Sequence, residues 1–254
     1  MSPPSSALRT LAFGDVVGTV WGTAWVPESN GPAVGAVGGD SALPVVSSLR
    51  VSVSDDGAQW RLDGNGVALI ASPAGEIADA HTPDEDIVGF DQLCRVTGTF
   101  EQGGSDRAVD CLGVRTSRSG AFDLAKLESV RAVSTWFEPD EGFALTAFRA
   151  RKAKHHDSDV LTATVLGPEQ YPSVEDSRLS TTYDADGWPI RAGLELWLAA
   201  AEGDEEQFPR RASGEAAGAR AETAAGELDL RAERFRWHSR GREGTGIYLL
   251  ARHR

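Results

Sequence analysis

Residues 90–115 read Phe90-Asp-Gln-Leu-Cys-Arg-Val-Thr-Gly-Thr-Phe100, Glu101-Gln-Gly-Gly-Ser-Asp-Arg107 and Ala108-Val-Asp-Cys-Leu-Gly-Val-Arg115. Two runs with alternating apolar positions flank Gln102-Gly-Gly-Ser-Asp106, a composition that turns a chain tightly, so the stretch predicts an antiparallel hairpin. A short turn there pairs residues whose numbers sum to about 205, which sets Cys94 opposite Cys111. Two small hydrophobes buried on one sheet face are the expected outcome; a redox-sensitive cross-strand disulfide is the alternative.

The same period of two extends in both directions. Val45–Val53 places Leu49, Val51 and Val53 on one face and polar residues on the other. Trp60–Ile70 predicts a hairpin turning at Asp63-Gly-Asn-Gly66. Val130–Phe137 and Phe143–Arg149 flank Glu138-Pro-Asp-Glu-Gly142, a further hairpin. Strands are also expected at Asp159–Leu166, Ser177–Asp184, Ile190–Leu198, Glu227–His238 and Gly246–His253. Turn signals recur at intervals of roughly 8–15 residues, the mark of a sandwich or barrel. Ala121–Ser129 is expected to form a short helix. The Ala-, Gly- and Glu-rich stretch Ala199–Gly226 is expected to be a mobile loop with weak helical or strand content, and residues 1–7 and Glu28–Ser41 to be loose. A boundary near residue 125 divides the chain into an N-terminal β unit, 1–125, and a C-terminal one, 126–254.

The 254 residues are 41% hydrophobic and 25% charged, ample for a sizeable core. A net charge of −13, from 38 acidic and 25 basic residues, argues against nucleic acid and against an anionic membrane surface as partners. No apolar run approaches the ~18 residues of a membrane span, and the opening Met-Ser-Pro-Pro-Ser-Ser has no signal-peptide character. The expectation is a cytoplasmic protein with reduced thiols. Neither a Walker A loop, a Gly-x-Gly-x-x-Gly turn, His-Glu-x-x-His nor Gly-x-Ser-x-Gly occurs, so no cofactor or metal is expected.

Five segments carry a family resemblance: Cys111-Leu-Gly-Val-Arg-Thr-Ser-Arg-Ser-Gly120, the pair Val130–Phe137 and Phe143–Arg149, and the strand ends Tyr183-Asp-Ala-Asp-Gly-Trp188 and Gly244-Thr-Gly-Ile-Tyr-Leu-Leu250. Across residues 85–252 they resemble the lipocalin-like hydroxyneurosporene synthase (carotenoid 1,2-hydratase)/AttH superfamily and its bacterial relatives. Gly113, Arg115 and Gly120 match its Gly-x-Arg-x-x-Ser-Trp-Gly-type element, with Ser119 at the position of the Trp. The resemblance implies an all-β fold of two consecutive lipocalin-like antiparallel barrels or sandwiches with little helix, an apolar small molecule as ligand, and an apolar cavity in at least one unit.

Within such a fold the chemistry-bearing residues fall on strands. Leu194, Leu196 and Leu198 share one face, Glu195 and Trp197 the other. If the second face lines a hollow, desolvation beside the indole makes Glu195 a general acid; the ordinary alternative is a solvent-facing strand. Tyr183 and Asp184, before Gly187-Trp188, supply a cation-stabilising ring and a second acid, or simply a tight turn. Arg131 alternates with Val133, Thr135 and Phe137, against Val130, Ala132, Ser134 and Trp136. Inward, it anchors a carboxylate ligand or pairs with Glu195; outward, it is ordinary surface, and the reading leans outward. Trp136, Trp188, Trp197 and Trp237 are candidate pocket walls or core fillers, and Glu233, Phe235 and Trp237 form a mixed stripe against Arg234, Arg236 and His238. His155-His156-Asp157-x-Asp159 and the cluster Asp79, His81, Asp84, Glu85, Asp86 read as solvated loops rather than metal sites. The function classes left are cofactor-free acid–base chemistry (hydration, isomerisation or cyclisation) on an isoprenoid- or polyketide-like molecule, with Glu195, Asp184 and Tyr183 as the reacting groups; non-catalytic binding or carriage of such a molecule; and a filled structural barrel.

Overall fold

The computed structural model describes residues 6–27, 33–39, 45–151, 153, 159–200 and 208–254. Nine strands form the first sheet: β1 Ser6–Gly14, β2 Trp21–Pro27, β3 Ala33–Gly38, β4 Val45–Val53, β5 Trp60–Gly64, β6 Val67–Pro73, β7 Ala78–His81, β8 Ile87–Gln102 and β9 Ser105–Gly120. Eight form the second: β10 Leu127–Phe137, β11 Glu141–Ala150, β12 Val160–Leu166, β13 Val174–Tyr183, β14 Pro189–Leu198, β15 Arg210–Ala225, β16 Leu228–Ser239 and β17 Arg242–His253. Every ladder is antiparallel. In the first sheet the order is β6-β5-β4-β3-β2-β1-β9-β8-β7, and a β6–β8 pairing closes it into a barrel. The 16-residue β8 makes this possible: Cys94–Phe100 pair with β6, whereas Val88–Asp91 pair with β7. The second sheet, β12-β11-β10-β17-β16-β15-β14-β13, is barrel-like but keeps a seam, since no ladder joins β12 to β13 among the described residues.

Alternation sorts the side chains into three cores. Leu11, Phe13, Trp60, Leu62, Val96 and Phe100 fill the first barrel. Phe137, Phe143, Leu145, Phe235, Trp237 and Tyr248 fill the second. Leu8, Trp21, Trp25, Leu93, Trp136, Phe148 and Leu249 pack between them. In β10 the odd positions Val133 and Phe137 enter the second barrel, and the even ones, Val130, Ala132 and Trp136, meet the first. Trp136 Nε1 donates to the Gly14 carbonyl across this junction at 3.0 Å. Deeper in it, Arg118 Nη2 donates to Asp91 Oδ2 at 2.8 Å, both side chains wholly buried. Thr164 Oγ1 donates to the same carboxylate at 2.8 Å, and Arg118 Nε donates to Thr162 Oγ1 at 2.7 Å, so β12 is tied to β8 and β9.

The all-β expectation and the hairpins hold, with four corrections. Gly103 and Gly104, at φ 62° and 77°, make a two-residue turn between the paired Gln102 and Ser105, the left-handed geometry of a type I′ hairpin. The register therefore runs two residues from the expected one: Cys94 pairs with Gly113 and Cys111 with Val96. Both thiols are free and buried, and burial pushes each up to about 12. Ala199–Gly226 is not a loop where it is described: Arg210–Ala225 is a 16-residue strand. Ala212, Ala221 and Ala225 turn small side chains into packed surfaces, and pairing on both edges outweighs the poor strand propensity of Ala and Gly. Ala33–Gly38, expected to be loose, is strand β3, paired to β2 and β4. The expected helix is a single 3-10 turn, Leu124–Lys126, capped by Asp123, whose Oδ1 accepts from the Ala125 amide at 3.0 Å; Leu127 already opens β10. His155, His156 and Asp157 lie outside the described residues. No described helix is long and apolar enough to cross a membrane.

Removing one partner of a buried ion pair leaves the other charge uncompensated. Arg118→Met is therefore expected to cost about 3 kcal/mol in urea unfolding; a loss below about 1 kcal/mol would show that the Asp91–Arg118 pair does not secure the junction. Neither cysteine is expected to react with a thiol reagent until the chain unfolds, since the thiolate is the reactive species.

Candidate functional site

The structure disperses the residues expected to act together. Leu194 and Leu196 enter the second barrel, so Glu195 and Trp197 lie on the outside of β14. Arg211 Nε sits 2.9 Å from Glu195, and the Arg178 guanidinium stacks 4.9 Å from the Trp197 ring centre. The dry surroundings required of an acid at Glu195 are absent, and the solvent-facing alternative is the one observed. Asp184 belongs to a turn: its Oδ1 accepts from the Trp188 amide at 2.8 Å and the Asp186 amide at 3.0 Å. These bonds, with Arg220 at 3.5 Å, hold its carboxyl below the usual range, the reverse of what a proton donor needs. Tyr183 is 38% exposed, with its hydroxyl 3.2 Å from that of Tyr248. Trp188 lies between the Arg220 and Arg231 guanidiniums, 5.0 and 5.2 Å from its ring. Trp136 serves the junction, and Trp237 is fully buried against Phe235 at 5.7 Å. The outward reading of Arg131 is corrected. It shares the face of Val133 and Phe137, is 7% exposed, and pairs with Asp159 rather than Glu195. In the acidic stretch, Asp84 accepts from the Thr82 hydroxyl at 2.6 Å and the Asp86 amide at 3.3 Å, a turn. Among the described residues no three His, Cys, Asp or Glu side chains converge on a metal-sized space.

Other polar groups converge inside the second barrel. Asp159 takes both Arg131 and, at 3.3 Å, Arg149. The buried Tyr248 hydroxyl is 2.9 Å from Thr181 Oγ1, and burial raises its pKa. Glu233, directly across the ladder from Tyr248, is fully buried. It accepts from Arg220 Nε at 2.5 Å and the Gly218 amide at 3.3 Å. Burial outweighs these partners and pushes its carboxyl up to about 7. Tyr248 and Arg220 escape sequence reading because nothing in their immediate neighbours distinguishes them from structural residues.

Several hollows adjoin these elements, and two of them border the candidate residues discussed above and the junction. The larger, about 1040 Å³, lies at the second barrel; Arg131, Asp159, Leu161, Leu179 and Leu194 are among its walls, and Glu195 and Arg211 among its outward-facing borders. The smaller, about 270 Å³, is a notch between the barrels walled mainly by Trp25, Pro27, Leu124, Ala125, Ala225 and Leu228, with Asp123, Glu227 and His253 also bordering it. Trp25 is 1% exposed, and its indole Nε1 has no hydrogen-bond partner. A buried donor left unmet is costly, and such groups are few in folded proteins.

No family model and no curated protein matches the sequence. Solved structures do. CghA, in a crystal structure with Sch210972, superposes with a TM-score of 0.67 at 9% identity over 98% of this chain and 88% of its own. A protein assigned as AttH from Nitrosomonas europaea gives 0.64 at 9% over 98% and 92%. Kievitone hydratase from Nectria haematococca gives 0.53 at 11% over 98% and 88%. This chain shares their fold. The resemblance to AttH-type proteins therefore holds for the architecture, and at these identities it carries no residue role across.

Glu233 ties its titration to folding. Its native pKa lies above that of the unfolded chain, so between about pH 4.5 and 7 the native state holds the extra proton and stability falls as pH rises. Urea unfolding at pH 5 and pH 7.5 is expected to show a wild-type decline that Glu233→Gln reduces by about 2–3 kcal/mol. Identical pH profiles would mean that Glu233 is ionised throughout.

Proposed function

We propose that this protein takes an apolar, isoprenoid- or polyketide-like molecule into the notch between its barrels and promotes cyclisation or isomerisation there without a cofactor. The observation that carries the reading is a mainly apolar hollow walled in part by Trp25, whose buried indole N–H has no partner. A ligand oxygen, carbonyl or ether, completes that hydrogen bond, and the walls of Pro27, Leu124, Ala225 and Leu228 receive the hydrocarbon. Confinement and a fixed donor polarising a carbonyl suit reactions whose atoms all come from the substrate. Hydration calls for an acid beside the bound alkene; Glu233, the carboxyl raised by burial, faces the second barrel, and the groups that border the notch are Asp123, Glu227 and His253. The known structures of similar fold include a hydratase and a protein crystallised with a small molecule, which fits a small-molecule role for this chain. The second reading, a carrier, is favoured by the mainly apolar walls of the notch.

Native mass spectrometry of freshly purified protein, followed by chromatography of the released ligand, tests the reading. A bound apolar compound is expected, converted on incubation if the protein is an enzyme and unchanged if it is a carrier. Trp25→Phe keeps the ring and deletes the donor, and is expected to weaken binding about fivefold, the worth of one neutral hydrogen bond. Ala225→Leu, which fills the notch, is expected to abolish binding while the fold persists. Undiminished binding in both variants would remove the notch from consideration.

A further inference from the structure

The geometry points to a proton-controlled clasp in the second barrel: Arg220 joins the buried Glu233 to the surface turn Asp184–Trp188, and protonation of Glu233 releases the bulge of β15 that its carboxylate anchors. The clasp is independent of the notch, which is walled by other residues.

Three observations support it. First, β15 is interrupted beside Glu233. Its ladder with β16 shifts between Ala216 and Arg220, residues 217–219 have no ladder partner in β14 or β16, and Gly218 stands at φ 80°. A side chain replaces the missing pairs. Glu233 Oε1 accepts from the Gly218 amide at 3.3 Å and Oε2 from Arg220 Nε at 2.5 Å, so one carboxylate holds the middle and the end of the bulge. Second, Arg220 is shared with the surface. Its Nη2 is 3.5 Å from Asp184 Oδ2, and its guanidinium lies 5.0 Å from the Trp188 ring. Arg231 flanks that ring at 5.2 Å and donates from Nη1 to the Asp186 carbonyl at 2.7 Å. The turn is docked by two guanidiniums, one of which also serves Glu233. Third, the two carboxylates on Arg220 differ in surroundings. Asp184 is partly exposed, and the amides of its own turn hold it ionised. The Glu233 side chain is wholly buried. Burial and the Asp184 charge favour its protonated form, Arg220 and the Gly218 amide the ionised one, and burial prevails, pushing the carboxyl up to about 7. The other titratable and charged groups on this side are Tyr248, opposite Glu233 in the ladder, with Tyr183 and Arg131 beyond it, and Arg231 two residues along the same strand. Once Glu233 is neutral, it holds Arg220 and the Gly218 amide about half as strongly, since a charged acceptor roughly doubles such a bond. Asp184 is then the stronger partner of Arg220, and the bulge loses its anchor.

Amide exchange followed by NMR from pH 5 to pH 8, corrected for the intrinsic exchange rate, reads the bulge at the Gly218 amide. Its protection in the wild-type protein is expected to fall about fivefold as pH drops through neutrality, the worth of the charge on its acceptor. In Glu233→Gln it is expected to be low at every pH. Carbon NMR of the Glu233 carboxyl reads the coupling to the turn. Arg220→Met is expected to raise its proton affinity about tenfold, by removing the opposing charge. Asp184→Asn is expected to lower it, because the amide neither repels Glu233 nor competes for Arg220. A burial effect confined to Glu233 would not respond to Asp184. Gly218 protection that is flat with pH in the wild-type protein overturns the clasp, as does a Glu233 titration that Asp184→Asn leaves in place. Should Arg220→Met fail to fold, Asp184→Asn, which keeps an acceptor oxygen for the turn amides, carries the test alone.

Discussion

Strand β10 is buried on both faces, and the arrangement of the molecule follows from that constraint. Most strands of a small barrel have an inside and an outside. From Ser129 to Phe137 this one has two insides, the second barrel on the odd positions and the first barrel on the even ones. A slip of one residue would send Trp136 into the second barrel and Arg131 and Phe137 into the junction. The register is fixed twice over, by Phe137 against Phe143 on one side and by the Trp136–Gly14 hydrogen bond on the other. β17 shares this condition, with Tyr248 and Leu250 inward and Ile247, Leu249 and Ala251 toward the first barrel. The two sheets therefore meet along a wall that belongs to both cores, and the buried Asp91–Arg118 pair with its two threonines lies within it. A buried pair of this kind adds little net stability beyond what hydrophobic residues could give, but it penalises any docking that separates its members.

Local patterns showed most of the strands, because their turns are dictated by a few residues. Asn65-Gly66 joins β5 to β6, and Gly103-Gly104 joins β8 to β9. The cysteine register was missed by two residues because the turn is only two residues long, which alternation alone does not reveal; the shared face of the two thiols survives because a shift of two preserves parity. β15 was invisible for a different reason. Its Ala and Gly residues have little strand propensity of their own, and it exists because β14 and β16 pair with it.

The candidate site was legible as a pattern but not as a place. Glu195 and Glu233 each alternate with tryptophan, and the two readings differ only in what occupies the opposite parity. Opposite Glu195 stand Leu194, Leu196 and Leu198, which bury more apolar surface than Trp197 alone and take the interior. Opposite Glu233 stand Arg234, Arg236 and His238, which leave the interior to Phe235, Trp237 and the carboxylate. Comparing the two faces within each strand would have selected Glu233. Arg131 follows the same rule less clearly: Val133 and Phe137 compete with Val130, Ala132 and Trp136, both sets apolar, because both faces are core.

Filled barrels constrain where this fold can hold a ligand. An eight-stranded barrel is only wide enough for its own side chains or one small guest. Here the first is occupied by Phe13, Trp60 and Phe100 and much of the second by Phe137, Phe143, Phe235 and Trp237. Space survives where packing is interrupted: at the junction, where two convex sheets cannot touch along their whole length, and at the second barrel, where β12 and β13 do not pair. These interruptions differ in chemistry because different faces border them. The junction is lined mainly by apolar positions, and Trp25 Nε1 and Asp91 Oδ1 are among the unmet polar atoms beside it. The seam lies beside the inward face of β10, where Arg131 borders the hollow with Leu161, Leu179 and Leu194. The same all-β architecture thus leaves space of two chemical kinds, a mainly apolar notch between the barrels and a hollow bordered by a guanidinium beside the second.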